Sequence, residues 1–588
     1  MKRNLYILMS LVVLTSMVLT ACGGAAPATQ PPAPTEAPAA TQAPATSAPA
    51  TEAPTEAPAA TEAPAAAPSG TVTITFTQEP DNLNPMYTQM YFSGILREFW
   101  LKPVWNFDMD AKPVPVLAAE IPSTDNGGLS ADGKTVTIKL KDNLKWSDGE
   151  ALTSDDLVFT YDMIMSDKNT PQSRYPYDEF VESVEAPDPT TVVVHFKQPF
   201  AAWLTTLFYY VLPKHILQPV FDSDGSLDNA EWNKNPTVGV GPFVLSEWES
   251  GSHLSFKVNP NWTPQPKIEQ VFIRIVPDDA AQEAAIIAGD TDIGVFLSSD
   301  QIEKLEAGGN VKVVAVASGY DEGWFMNVNP KTAHPAMLDP NVRKAIALAT
   351  DRFSIVKDLL VESVNPVNAN FWDNNPPYGD PDIKPYPYDP EQAKQLLDAA
   401  GWKDTNGDGT RDKDGKELVL RYITNDRELR KNVQAVVQQQ WSQVGIGAKL
   451  ENYSSDVYWN GYNDNGPQAQ GIYDIAEYSS VSNSFPDPDS SNNWLCDQIS
   501  SAENPDGANW QGYCDQKMDD LLKQQATTLD PNKRIDLYKQ IQQMMYDQVI
   551  YVGMWKDPDL WSINSRVKNV QLSGVYPFWN VEDWEVSP

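Results

Sequence analysis

Asp132-Gly-Lys-Thr-Val-Thr-Ile-Lys-Leu140, Trp146-Ser-Asp-Gly149 and Leu152-Thr-Ser-Asp-Asp-Leu-Val-Phe159 together carry both periodicities from which the fold is read. Residues 135–140 alternate polar and apolar, the spacing of a half-buried strand. Residues 155–165 then begin with capping-type residues and read as a helix. Working outward, the same alternation marks strands at 71–76, 191–196 and 271–276. Helical spacing marks 340–360, where Val342, Ala345, Ile346 and Ala349 share a face. Further helices are expected at 391–400, stopped by Gly401, and at 427–444, stopped by Gly445. A last one at 531–549 aligns Ile535, Tyr538, Ile541, Met545 and Val549. Mixed strands and helices over this length indicate an α/β or α+β architecture. The helices read as core packing and receive no ligand contacts.

The chain has 588 residues. The part from about Gly70 onward exceeds what one compact core spans, so at least two lobes are expected. The net charge of -36 repels phosphate backbones and argues against nucleic acid as a partner.

The N-terminus reads as an export signal over residues 1–21. Lys2 and Arg3 precede an apolar run, 5–19, too short for a comfortable membrane span. Leu19-Thr-Ala-Cys22-Gly23 resembles the lipobox of bacterial lipoproteins. That resemblance implies a diacylglycerol on the Cys22 thiol and cleavage that leaves Cys22 as an acylated N-terminus. Several acyl chains suffice for stable membrane anchoring. Residues 24–69 are nearly all Ala, Pro, Thr and Glu, with Thr-Glu-Ala-Pro at 35–38, 51–54, 55–58 and 61–64. Such a segment buries no core and is expected to be a disordered stalk, with a reach of roughly 140 Å if fully extended. Cys496 and Cys514 lie 18 residues apart. In an oxidising compartment they are expected to form a disulfide contributing about 3 kcal/mol, with two free buried thiols as the alternative.

Catalytic motifs are scarce. The four histidines, His195, His215, His253 and His334, lack metal-ligand spacing. There is no HExxH, GxSxG, Walker or dinucleotide fingerprint. Carboxylates are plentiful without one standing out, so a secreted hydrolase is kept as a distant alternative. No cofactor is expected. Asp404, Asn406 and Asp408, with Gly409 and Asp412, match the start of a calcium loop, but Gly415 falls where the bidentate acid belongs. An Asx/Gly turn joining a helix to a strand is the favoured reading.

Five stretches together resemble the extracellular solute-binding proteins, family 5, of ABC importers, the peptide/nickel-type receptors. They are Asp81-Asn-Leu-Asn-Pro85; the opening signature with Leu117-Ala-Ala-Glu120; Val238-Gly-Val-Gly-Pro-Phe243 with Asn259-Pro-Asn-Trp262; Asn327-Val-Asn329 with the run from Asp339 to Arg352; and Tyr388 to Gly401-Trp402, the Gly-Asp-Gly turn, Gln438 to Ile446 and Asp487-Pro-Asp489. The resemblance implies an α/β, two-lobed periplasmic-binding-protein fold of the class II type. Lobe I would span 71–325 with an inserted subdomain at about 112–215, lobe II 326–555, and a C-terminal return to lobe I 556–588. It implies a non-enzymatic monomer that is extracytoplasmic and lipid-anchored to the cell membrane. Such a protein closes on a solute between its lobes and docks on a membrane permease driven by a cytoplasmic ATPase.

The resemblance leaves the solute open. Dipeptide receptors of this family hold the ligand's ends with an aspartate and an arginine. Here Ser484 stands at the first place and Thr424 near the second, with Arg427 close by. The dipeptide pattern is therefore not reproduced, and a longer peptide is the leading expectation. Oligosaccharide is the alternative, because aromatic faces stack on sugar rings as readily as on peptide side chains. Candidate cleft residues are Tyr87, Tyr320, Trp324, Asn329, Phe371, Trp372, Arg427, Trp459, Tyr478, Ser484 and Asp487. With no histidine among them, nickel is the less favoured cargo.

Overall fold

The computed structural model describes residues 67–588 except Gln89, Phe296, Pro376, Asn483, Ser484 and Pro588, and the backbone alone of Asp456. The expected signal, Cys22, most of the stalk and the candidate Ser484 lie outside the described residues.

Strand Thr71–Phe76 buries Val72, Ile74 and Phe76, as its alternation requires. It runs inside a seven-stranded sheet, parallel to Gln270–Ile275 on one side and to Ile293–Gly294 on the other. Beyond Gln270–Ile275 come His253–Val258 and Phe243–Glu249, both antiparallel. Beyond Ile293–Gly294 come Asp559–Asn564 and Val311–Val316. The opening signature forms a separate antiparallel sheet, in which Thr191–Phe196 lies between Thr135–Lys139 and Val181–Asp188. Helix Ser154–Met165 starts with a reciprocal Thr153–Asp156 capping box.

A five-stranded sheet follows the order Gly447–Tyr453, Val419–Asn425, Ile475–Ser480, Asp321–Met326, Tyr551–Lys556. Its middle strands bury apolar side chains on both faces, together with the acids Asp321, Glu322 and Glu477. Trp324, Met326 and Tyr422 pack into one core while Phe325, Ile423 and Ala476 pack into another. A sheet covered on both sides needs apolar side chains on both faces.

The chain passes between these two sheets twice, and the passages are neighbours. Val316 pairs with Asp559 in the first sheet, Asp321 pairs with Lys556 in the second, and the Asp557 N–H donates to the Tyr320 carbonyl (3.1 Å) between them. Residues 317–320 and 557–558 are therefore the links between two lobes. The first passage precedes the 325/326 boundary expected from sequence. After the second, the tail returns to the first lobe, where Phe578, Val581 and Trp584 are buried.

One helix expectation is corrected. Residues 340–360 form two helices, Pro340–Leu348 and Arg352–Leu359. Asp351 breaks the run by capping the second with its side chain on the Ser354 N–H (3.1 Å). The Asp351 N–H is taken by Gln440 (2.9 Å). The helices Pro390–Ala399 and Glu428–Ser442 are followed by Gly401 and Gly445, whose φ of +84° and +82° only glycine adopts without cost.

Candidate functional site

A cavity of about 680 Å³ opens where four parts of the chain meet. Its walls are helix Tyr91–Trp100 of the first lobe, subdomain segments between 173 and 209, second-lobe segments 485–495 and 522–526, and tail residues 574–577.

The helix explains the first wall. Phe92, Leu96, Phe99 and Trp100 are buried in the core, and Phe99 stacks on Phe578 (4.9 Å), which pins the tail beside the helix. Tyr91, Gly94, Arg97 and Glu98 are left lining the cavity. The Arg97 guanidinium lies over the Tyr209 ring (5.0 Å) and the Tyr576 ring (5.3 Å). Glu98 accepts the Phe578 N–H (3.0 Å), and burial pushes its carboxyl up to about 8 against the pull of Lys102 and Arg97. It is therefore mostly uncharged at neutral pH. Tyr91 donates to Asp559 (3.3 Å), the first residue after the second link, whose carboxyl burial and Asp557 raise to about 7.

The subdomain wall presents Tyr175 and Phe180, with Phe180 stacked on Phe200 (4.1 Å). Burial, and then Asp489 across the cavity, Asp178 and Asp497, raise the Glu179 carboxyl. In the second lobe, Asp489 accepts the Ser491 N–H (3.0 Å) and the Gln525 amide (2.8 Å). Gln525 in turn holds Arg534 (2.8 Å), which grips Asp487 with both nitrogens of its fork, one at 2.7 Å. Cys496 and Cys514 are bonded with Cα atoms 4.7 Å apart, directly after the lining residue Leu495. The Cys496 N–H donates to Asp519 (3.0 Å) on the adjoining helix.

Aromatic rings, isolated charges and the polar side chains of Gln198, Thr205, Thr206 and Asn492 thus converge on one space. The lining contains neither histidine nor cysteine. Such a surface suits reversible holding of a polar solute.

None of the ten described candidates from the sequence is among these lining residues. Trp324 is fully buried and donates to the Tyr422 hydroxyl (2.9 Å). Phe371 and Trp372 are buried, and Trp372 Nε1 reaches the Pro488 carbonyl (2.9 Å). Tyr478 stacks flat on Phe325 (4.0 Å), and exposed Trp459 meets Tyr478 edge-on. Tyr320 sits at the first link, and Asn329 closes a turn on the Lys331 N–H (3.0 Å). Arg427 is the exposed residue before helix Glu428–Ser442. The Tyr87 hydroxyl lies beside Asp228. Asp487 supports the wall through Arg534. What the sequence did offer was Arg97-Glu98, a charged pair inside an otherwise apolar helix.

The calcium-loop candidates spend their oxygens on the local backbone. Asp404 accepts the N–H groups of Gly407 (2.7 Å) and Gly409 (3.0 Å), Asn406 that of Asp408 (2.9 Å), Asp408 that of Thr410 (2.8 Å), and Asp412 that of Thr405 (2.9 Å). The Asn406 and Asp408 contacts are Asx turns, and Asp404 and Asp412 tie the two ends of the loop to its backbone.

Comparison with known proteins places this architecture. The family model described as "Bacterial extracellular solute-binding proteins, family 5 Middle" matches residues 112–501. The oligopeptide-binding protein AppA of Bacillus subtilis (strain 168) is 28% identical over 525 residues, covering 88% of this chain and 91% of the relative. The solved structure of AppA from Bacillus subtilis in complex with a nonapeptide has a TM-score of 0.72 at 26% identity, covering 89% of this chain and 99% of that one. NikZ from Campylobacter jejuni in complex with Ni(L-His) has a TM-score of 0.74 at 24% identity, covering 88% and 100%, and shows the same fold.

Proposed function

Since the chain belongs to the bacterial extracellular solute-binding proteins, family 5, we propose that it is the substrate-binding subunit of an ABC importer and takes an oligopeptide into the cavity between its lobes. The observation that carries this reading is the cavity itself, which both lobes, the subdomain and the tail wall jointly. A solute bound there touches both sides of the two links and so favours the closed form. The peptide relatives named above support the choice of cargo. The aromatic lining alone would equally suit a sugar.

The chain then works as a monomer that delivers its solute to permease subunits powered by a cytoplasmic ATPase, without chemistry of its own. The Cys22 motif supports a lipid anchor that keeps it at the extracytoplasmic face of the membrane. Among the described residues no helix is long and apolar enough to cross a membrane.

Thermal unfolding of the full chain against peptide and oligosaccharide panels tests the cargo. Stabilisation by peptides is expected, and stabilisation by sugars alone overturns the peptide reading. Labelling cells with a radioactive fatty acid tests the anchor, since Cys22→Ser must abolish incorporation.

A further inference from the structure

The cavity wall holds one cation that the fold leaves without a counter-ion. Five arginines of the described chain are buried: Arg97, Arg343, Arg352, Arg430 and Arg534. Arg430 faces Glu322 (2.8 Å) and Arg534 faces Asp487 (2.7 Å). Arg343 and Arg352 donate to backbone carbonyls, at 3.0 Å to Gln548 and 2.6 Å to Tyr386. Arg97 is only 6% exposed, yet its side chain has no carboxylate or carbonyl partner among the described residues, and its Nε is buried without an acceptor. The Tyr576 hydroxyl is its polar neighbour.

The nearby acids do not compensate it. Glu98 turns one oxygen to the Phe578 N–H and is mostly protonated at neutral pH. Glu582 is occupied by Lys102 (3.3 Å). A buried, unpaired charge is costly, and two aromatic faces offset only part of that cost. Of the other charged groups in the lining, Glu179 and Asp489 are acids, and Lys523 faces Asp519 (3.6 Å). Arg97 is therefore the unpaired cation of the cavity.

Building on the reading of the cavity as a peptide site, we propose that Arg97 is its anion receptor and that the protein selects solutes presenting a carboxylate to the first-lobe wall. The Tyr209 and Tyr576 rings hold the guanidinium over their faces, where its N–H fork is available to a carboxylate. Glu179 and Asp489 repel a second anion and so set the direction in which the solute lies. The carboxylate is either a peptide C-terminus or an Asp or Glu side chain.

The test offers the full chain one synthetic tetrapeptide library in four forms: free C-terminus or amide, each with Glu or with Gln at the variable acidic position. Affinities are read by competitive capture and mass spectrometry. The form with neither carboxylate should bind at least about tenfold more weakly than the best form, and the order of the other three identifies the source. Arg97→Met should erase the discrimination, and Arg97→Lys should restore part of it. The proposal is overturned if wild-type chain binds all four forms within about twofold, or if a folded R97M protein still discriminates as wild type does. The wild-type comparison needs no variant, so misfolding of R97M does not shelter the idea. If no form binds while oligosaccharides stabilise the chain, the peptide reading itself fails and this proposal fails with it. Equal binding of all four forms removes Arg97's role alone.

Discussion

Glu98 and Asp559 both lie near Tyr91, and both carboxyls hold their protons more tightly folded than unfolded, near 8 and 7 respectively. Between the ordinary carboxylate range and those values the folded chain binds more protons than the unfolded chain, so stability falls as pH rises. Each group contributes at most ~1.4 kcal/mol per pH unit within its window, and the effect levels off above about pH 8. Denaturant unfolding from pH 5 to pH 8 should show this decline, and Glu98→Gln should flatten it. An unchanged slope in E98Q would place the protons elsewhere. The disulfide acts at the same scale. Cys496→Ser with Cys514→Ser should lower stability by about 3 kcal/mol and make the unfolding midpoint insensitive to reductant. These residues also show why the site was hard to read in the sequence. Trp324, Trp372 and Tyr478 look like cleft aromatics in one dimension and are core residues in three. Tyr209 and Tyr576, which do line the cavity, carry no distinguishing pattern. The legible sign was Arg97, because a charge within a ten-residue helix that buries eight of its side chains needs a reason.

At the scale of elements, most of the architecture was open to pattern reading. Strands Thr71–Phe76 and Thr191–Phe196 fall where period-two alternation put them, and helix Pro531–Gln548 falls within a residue of its expected end. The break at Asp351 was hidden because apolar spacing continues across it, while the cap and the Gln440 contact are tertiary. The links were hidden for a similar reason. Nothing in residues 317–320 marks a lobe boundary until Asp557 is seen pairing beside Tyr320. The tail closes over the first of these links. A Cβ at Gly574 would stand 1.9 Å from the Ala317 carbonyl and 2.8 Å from the Ser318 Cα, both backbone. Gly574→Ala must therefore push residues 574–577, one wall of the cavity, away from the link. The expected result is weaker solute binding by about tenfold or more, with secondary structure retained. An affinity equal to wild type would mean that tail and link move independently.

At the scale of the whole molecule, the two neighbouring links set what binding can do. Each is a few residues long and joins a strand of one sheet directly to a strand of the other, so both sheets move as bodies about a single line. The cavity is crossed by that line of separation. Arg97 and Tyr576 stand on the first-lobe side, and Phe485, Asp489 and Leu495 on the second. The mixed charges also bear on closure. Glu179 and Asp489 approach each other from different lobes as like charges, which opposes closing without a solute between them. A solute that fills the space removes water from both walls and links them, so its binding energy is expressed as closure. Hydrogen exchange on the full chain reads this directly. With a bound peptide, amides in 173–180, 198–209, 485–495 and 574–577 should slow together, and those in 317–320 and at Asp557 should slow with them. The three-stranded sheet built on Thr135–Lys139 contributes no residue to the cavity lining and should exchange as before. Protection confined to one wall would mean that the solute rests on a single lobe and that the links do not close around it.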